Sequence, residues 1–296
     1  MTERHFDTPF PALTSAERYH FEVYGYVVIE NSLTDELTNR IKNSLFKLKQ
    51  DFIETGTPES STIRGSRIKT FKPNHTHFTR VLETDPAVLE YITHPRLIGM
   101  IEEVVGDTVR LEESEAIINS PEPTNESTAS FHSNPSLTYG FHAGVIPDIG
   151  TYTENGLFHS SFVKILTNLT DLGPDDGGTV VIAGSHKIKC SKEETIAAAY
   201  EDPSLIHQIT APAGSTLLFT ESLIHATGRR RNEGDRVMIV AGYTPTQFQP
   251  WNGNEPSEQF IDTLPDSIKP LISGSDGWKR NHRFRKLGDP IQHWPK

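Results

Sequence analysis

Between residues 109 and 243 the chain is written in short β-rich runs broken by turn residues, and this rhythm constrains the fold more than any other feature. Runs at 115–119, 137–141, 162–166, 179–182, 205–209, 216–219 and 237–243 are rich in Val, Ile, Leu, Phe and Thr, side chains that suit a pleated, half-buried surface. Between them stand Pro174-Asp175-Asp176-Gly177-Gly178, Gly184-Ser185, Ala213-Gly214 and Asn232-Glu233-Gly234-Asp235, whose glycines and short polar side chains favour reversal. Many short strands without long alternating helices predict a mainly β jelly roll with flanking helices. The exception is a helical insertion at 192–200.

Ahead of this core, residues 14–106 read as helical support. A short helix from Ser15 and a β-rich run at 25–29 precede a helix capped by Thr34, whose Leu37, Ile41, Leu45, Leu48 and Phe52 step along one face. Residues 57–77 are polar and without clear period, which predicts a long surface loop. Two more helices follow, at 87–93 and 96–105, with His94 at the start of the second and Gly106 stopping it. The expectation is one domain: this support, a core at about 109–245, and a strap at 246–296 with one helix near 258–264. The basic, aromatic stretch at 278–286 reads as part of that strap, its rings docked and its charges in water.

Composition excludes several classes. The 28 Lys and Arg against 39 Asp and Glu leave a net charge of −11, the wrong sign for a protein that wraps a nucleic acid polymer. A lone cysteine, Cys190, permits no internal disulfide, residues 1–13 have no signal-peptide pattern, and no run of eighteen apolar residues offers a membrane span. A cytoplasmic protein without a membrane partner is the default expectation.

The chemistry-bearing residues fall in two islands, Phe141-His142-Ala143-Gly144 and His225-Ala226-Thr227, the second followed by Arg236. Two histidines on strands at the mouth of a jelly roll, with an arginine eleven positions after the second, suggest a non-haem iron site that binds a small dicarboxylate. Imidazole suits Fe(II), and a guanidinium fork grips a carboxylate. Asn119 and Lys164, on strands facing the barrel interior, are further candidate contacts for that acid. The run Arg229-Arg230-Arg231 reads either as a solvated hairpin tip or, through Arg230 and Arg231, as a clamp for an anionic substrate.

The chain resembles the phytanoyl-CoA dioxygenase family of iron(II)- and 2-oxoglutarate-dependent oxygenases over most of its length. The resemblance rests on 21–29 (Phe-Glu-Val-Tyr-Gly-Tyr-Val-Val-Ile), on His94-Pro95-Arg96-Leu97 with Val104-Val105-Gly106-Asp107, and most densely on Leu169-Thr170-Asp171 through Gly177-Gly178 to Gly184-Ser185-His186-Lys187, with Ala183 where the family has proline. It implies a double-stranded β-helix of the cupin-like kind. It also implies His142 and His225 as iron ligands, Arg236 and Thr227 on the C5 carboxylate of 2-oxoglutarate, and O2 as co-substrate. His186 then belongs to a structural loop.

In one place the pattern departs from the family. His-x-Asp is expected at the first ligand, and here the third residue is Gly144, which has no side chain to offer. His-x-Gly resembles the iron/2-oxoglutarate halogenases, in which chloride takes the vacant position and a substrate radical recombines with halide. Chlorination of an unactivated C–H bond of a small molecule is the leading expectation. Three alternatives stay open: a hydroxylase whose third position is filled by water or a loop carboxylate such as Asp148 or Glu154; an inactive binding protein of the same fold; and a misassigned pair, with His159 as the ligand. His159 is otherwise a candidate substrate contact. Nothing in the sequence indicates a docking surface for a carrier protein.

Overall fold

The computed structural model describes residues 8–120, 138–145, 150–228, 230 and 232–274. In chain order the elements are α1 (Ser15–Tyr24), β1 (Tyr26–Ile29), α2 (Asp35–Glu54), β2 (Thr62–Ile63), β3 (Ser66–Lys72), β4 (His75–Thr79), α3 (Pro86–Ile92), α4 (Pro95–Val105), β5 (Val109–Asn119), β6 (Thr151–Glu154), β7 (Leu157–Ser160), β8 (Val163–Asn168), β9 (Thr179–Ile182), α5 (Lys192–Glu201), β10 (Ile206–Gln208), β11 (Thr216–Thr220), β12 (His225–Thr227), β13 (Arg236–Pro245), α6 (Glu258–Thr263) and α7 (Lys269–Ser273). The large sheet runs β1-β11-β8-β13-β5-β4-β3-β2, a small sheet runs β10-β9-β12, and β6 and β7 form a hairpin. Every one of these pairings is antiparallel.

Local chemistry starts and stops the helices. Thr14 and Glu17 form a reciprocal capping box on α1, and Thr34 accepts from Leu37 N on α2. Gly25 ends α1 at φ 80°, and a Cβ there would stand 2.6 Å from the His186 ring. Only glycine serves that position, on both counts. His186 is therefore packed structure, fully buried and edge-on to Phe158 at 4.8 Å.

The period-2 alternation of the strands sorts the core into three faces. On one side of the large sheet, Ala116, Ile118, Ile165 and Ile239 pack on the apolar faces of α2 and α4. On its other side, Leu166, Leu217, Phe219, Met238 and Val240 meet Val181, Ile209 and Leu223 from the small sheet and its flanks. The outer face of the small sheet, Val180, Ile182, Ile224 and Ala226, is covered by Ile196 and Ala199 of α5 together with Phe141. The jelly roll expected from sequence is the fold observed, and the helical insertion is the lid on its smaller sheet.

Two expectations are corrected. Residues 57–77 are not a surface loop: β2, β3 and β4 extend the large sheet, anchored by buried Ile68, Thr76 and Phe78. With so few apolar anchors the alternation is too sparse to read. The strand expected at 137–141 reduces to one bridge at His142; Leu137 lies outside the described residues, as does the basic stretch 278–286. No helix among the described residues is long and apolar enough to cross a membrane.

Leu45, fully buried between α2 and the sheet, tests the packing. Leu45→Ala is expected to cost about 2–5 kcal/mol in urea unfolding; a loss below about 1 kcal/mol would mean that α2 is not seated as described.

Candidate active site

The site is built on one row of the small sheet. His225 lies opposite Val181 on β9, and His142 is bridged to His225 on the other side, with His142 N donating to His225 O and His225 N to His142 O, both at 2.9 Å. Residues directly opposite in an antiparallel pair point to the same face, and Val181 belongs to the cluster between the two sheets. Both imidazoles thus face the interior, with ring centroids 4.3 Å apart and Phe219 edge-on to His225 at 4.9 Å. His142 is exposed, whereas His225 is buried. Each Nδ1 is held by a backbone carbonyl, Gly140 O at 3.1 Å and Leu223 O at 2.8 Å. A ring that donates from Nδ1 keeps its Nε2 lone pair for a ligand or metal.

The position expected to be vacant at Gly144 is filled in space. A Cβ on Gly144 would stand 2.1 Å from Glu221 Oε2, and Gly144 N and Val145 N both donate to Glu221 O, at 2.9 and 3.2 Å. Glu221 is 2 % exposed, and its Oε1 lies 3.8 Å from His225 Nε2 and 3.1 Å from Lys164 Nζ. Lys164 is bound in turn by Glu113 at 2.6 Å. Burial opposes the charge on Lys164, but Glu221 and Glu113 together raise its pKa. Lys164 is thus committed to carboxylates of the protein and not to an incoming acid. Sequence reasoning missed Glu221; its signal is the spacing Glu-x-x-x-His across the tight turn from β11 to β12. Of the loop carboxylates, Glu154 is exposed on β6, and Asp148 lies outside the described residues. Among the described residues, no group of three or more His, Cys, Asp or Glu side chains is arranged so that it could hold a metal ion as it stands.

Arg236 opens β13 at the far end of the same interior face. Along that strand the facing pairs are Arg236 with Asn119, Met238 with Ile117, Val240 with Glu115 and Gly242 with Glu113. The cationic end is thereby separated from the rows that carry Glu115 and Glu113 by one apolar row, Met238 with Ile117. The guanidinium is 2 % exposed. Its Nη2 meets Met238 Sδ at 3.6 Å, while Nε and Nη1 are buried without a hydrogen-bond partner among the described residues. Burial, with Arg230 nearby adding repulsion, lowers its pKa to about 9, so it stays charged at neutral pH. An unsatisfied buried cation is costly unless an anion joins it. Thr227, two residues beyond His225 and so on the same face of β12, is exposed at the rim. Asn119 lies beside Arg236 with its Oδ1 2.6 Å from His75 Nδ1.

The remaining candidates fall elsewhere. His159 sits on β7, its Nδ1 3.0 Å from Val104 O, stacked on Tyr152 at 5.1 Å. These contacts seat it between β7 and α4. Arg230 bridges to Asp176, and its Nε donates to Asn232 Oδ1 at 3.2 Å. Arg229 and Arg231 lie outside the described residues.

Comparison with known proteins places the chain in a family. Residues 21–238 match the family model described as phytanoyl-CoA dioxygenase (PhyH). The dioxygenase cdmD of Talaromyces verruculosus is 26% identical over 125 residues, 42% of this chain and 38% of that protein. The match thus spans well under half of that relative. The uncharacterized protein Rv1501 of Mycobacterium tuberculosis is 21% identical over 225 residues, 76% of this chain and 73% of its own. Among solved structures, HygX from Streptomyces hygroscopicus with nickel and 2-oxoglutarate bound has a TM-score of 0.61 at 21% identity, covering 81% of this chain and 90% of that one. At that identity it shares the fold.

Two expectations follow. Burial pushes His159, His186 and His225 each down to about 4 from 6.5. Between those values the unfolded chain binds protons that the folded chain refuses, so stability should rise as pH goes from 4 to 6.5; a flat denaturation profile across that window would contradict this. Arg236→Met, which removes the unpartnered buried charge, should leave the ligand-free protein as stable or add about 1–4 kcal/mol in denaturant unfolding. A clear loss would mean that the guanidinium is already satisfied.

Proposed function

The chain belongs to the phytanoyl-CoA dioxygenase family of iron- and 2-oxoglutarate-dependent oxygenases, and from that premise we propose that it oxidises an unactivated C–H bond of a small molecule without halogenating it. The observation that carries the reading is the pair formed by two inward imidazoles with free Nε2 positions and, on the same interior face, a buried guanidinium with two unpartnered nitrogens. The donors fit the cofactors: imidazole suits Fe(II), and Arg236 with Thr227 suits the distal carboxylate of 2-oxoglutarate. When bound, iron and 2-oxoglutarate supply the oxidation, in which O2 and the keto acid become succinate, CO2 and one oxygen atom inserted as C–OH.

The protein's own residues position and shield. His142 and His225 hold the ion, their rings fixed by Gly140 O and Leu223 O. Arg236 neutralises and orients the keto acid, while Phe219, Met238 and Val240 keep water from the space between. Exposed His142 leaves the substrate side open. Halogenation is disfavoured because Glu221, an anion, already fills the space beside Gly144 that chloride needs.

HygX has also been solved with nickel, 2-oxoglutarate and hygromycin B bound, a precedent for a small-molecule substrate in this fold. An anionic substrate gripped by Arg230 has less support, because its Nε already donates to Asn232 Oδ1.

Purified protein with Fe(II) and O2 is expected to turn 2-oxoglutarate into succinate, slowly even without substrate. Arg236→Met should raise the KM for 2-oxoglutarate by roughly 30-fold or more, and His225→Ala should abolish turnover. An unchanged KM in Arg236→Met, or no turnover by the wild type under any condition tried, would contradict the reading.

A further inference from the structure

We infer that Glu221 is the third iron ligand, a carboxylate that has moved in sequence from the position two after the first histidine to the position four before the second, while keeping its place in space. The inference rests on the reading of His142 and His225 as the iron-binding pair.

Four observations carry it. The Glu221 Oε2 stands 2.1 Å from where a Cβ on Gly144 would be, so in this arrangement a side chain at 144 and the Glu221 carboxylate exclude each other. The turn is clamped there by two backbone donors, Gly144 N and Val145 N, on Glu221 O. The Oε1 lies 3.8 Å from His225 Nε2, too far for a hydrogen bond but beside the imidazole. Finally, the carboxylate is buried with Lys164 alone as its cation, and Lys164 is already shared with Glu113 at 2.6 Å. Glu221 thus keeps coordinating capacity that this lysine does not exhaust. Two imidazoles and one carboxylate form the donor set that suits Fe(II) with positions left open. Lys164 and Glu113 then act as positioning residues that aim Glu221.

The test is anaerobic calorimetric titration of metal-free protein with Fe(II), with far-UV circular dichroism as the fold control. Wild type should bind one Fe(II), Glu221→Gln should bind it at least roughly tenfold more weakly, and the double variant Gly144→Asp/Glu221→Ala should return to within about threefold of wild type. Wild-type affinity in Glu221→Gln would overturn the assignment and leave the histidine pair standing. Absence of Fe(II) uptake by the wild type would overturn the pair and the ligand together. If Glu221→Gln does not fold, the double variant decides: restored affinity supports the relocated carboxylate, and affinity still at least tenfold weak in a folded double variant overturns it.

Discussion

Two backbone hydrogen bonds between His142 and His225 fix the geometry on which every other candidate group depends. They add a short fourth segment to the β10-β9-β12 sheet, and because facing residues share a side, they turn both imidazoles into the space between the sheets. A slip of one residue would aim Phe141 and Ala143 inward and leave the histidines against α5. Register is held from outside as well, since Phe141 packs with Val180, Ile182 and Ala226 under Ala199. Packing on the outer face thus determines chemistry on the inner one.

The interior is electrostatically divided along β13. At one end the Arg236 guanidinium is buried with no carboxylate in ion-pair contact among the described residues; at the other, Lys164 is shared between Glu113 and Glu221. Between them Met238 and Val240 present apolar surface. Isolated buried charge is destabilising, and folds retain it where a ligand of opposite sign completes the pair. The excess cation calls for an anion at the Arg236 end. The excess carboxylate calls for a cation beside the histidines. Both demands match the family's cofactors, and neither needs residues outside this interior face.

Much of this was legible in the sequence, for identifiable reasons. The amphipathic repeat from Leu37 to Phe52 and the turn chemistry around Gly177 and Gly214 are local signals, so α2 and the strands of the core could be placed. The two histidine islands and Arg236 were readable because their residue types carry chemistry and their spacing resembles a family pattern. The β2–β4 extension was hidden because Ile68 and Phe78 are almost its only apolar anchors. Glu221 was hidden for a different reason. Its neighbour Gly144 is 77 positions earlier in the chain, and only the turn after β11, clamped by Gly144 N and Val145 N, brings the two together. Gly144 read alone suggested a vacancy; with Glu221 beside it, the glycine is what makes room for a carboxylate from elsewhere. His159 read as a site candidate from residue type alone, and its contacts to Val104 and Tyr152 could not be foreseen because α4 lies more than fifty positions earlier.

The most direct test needs no substrate: anaerobic titration of metal-free protein with Fe(II) and 2-oxoglutarate, following visible absorption with and without chloride. A charge-transfer band that requires both additions and does not move with chloride is expected if, as proposed, the Glu221 carboxylate takes the place a halide would take. No band, or a band that shifts when chloride is added, would contradict the account.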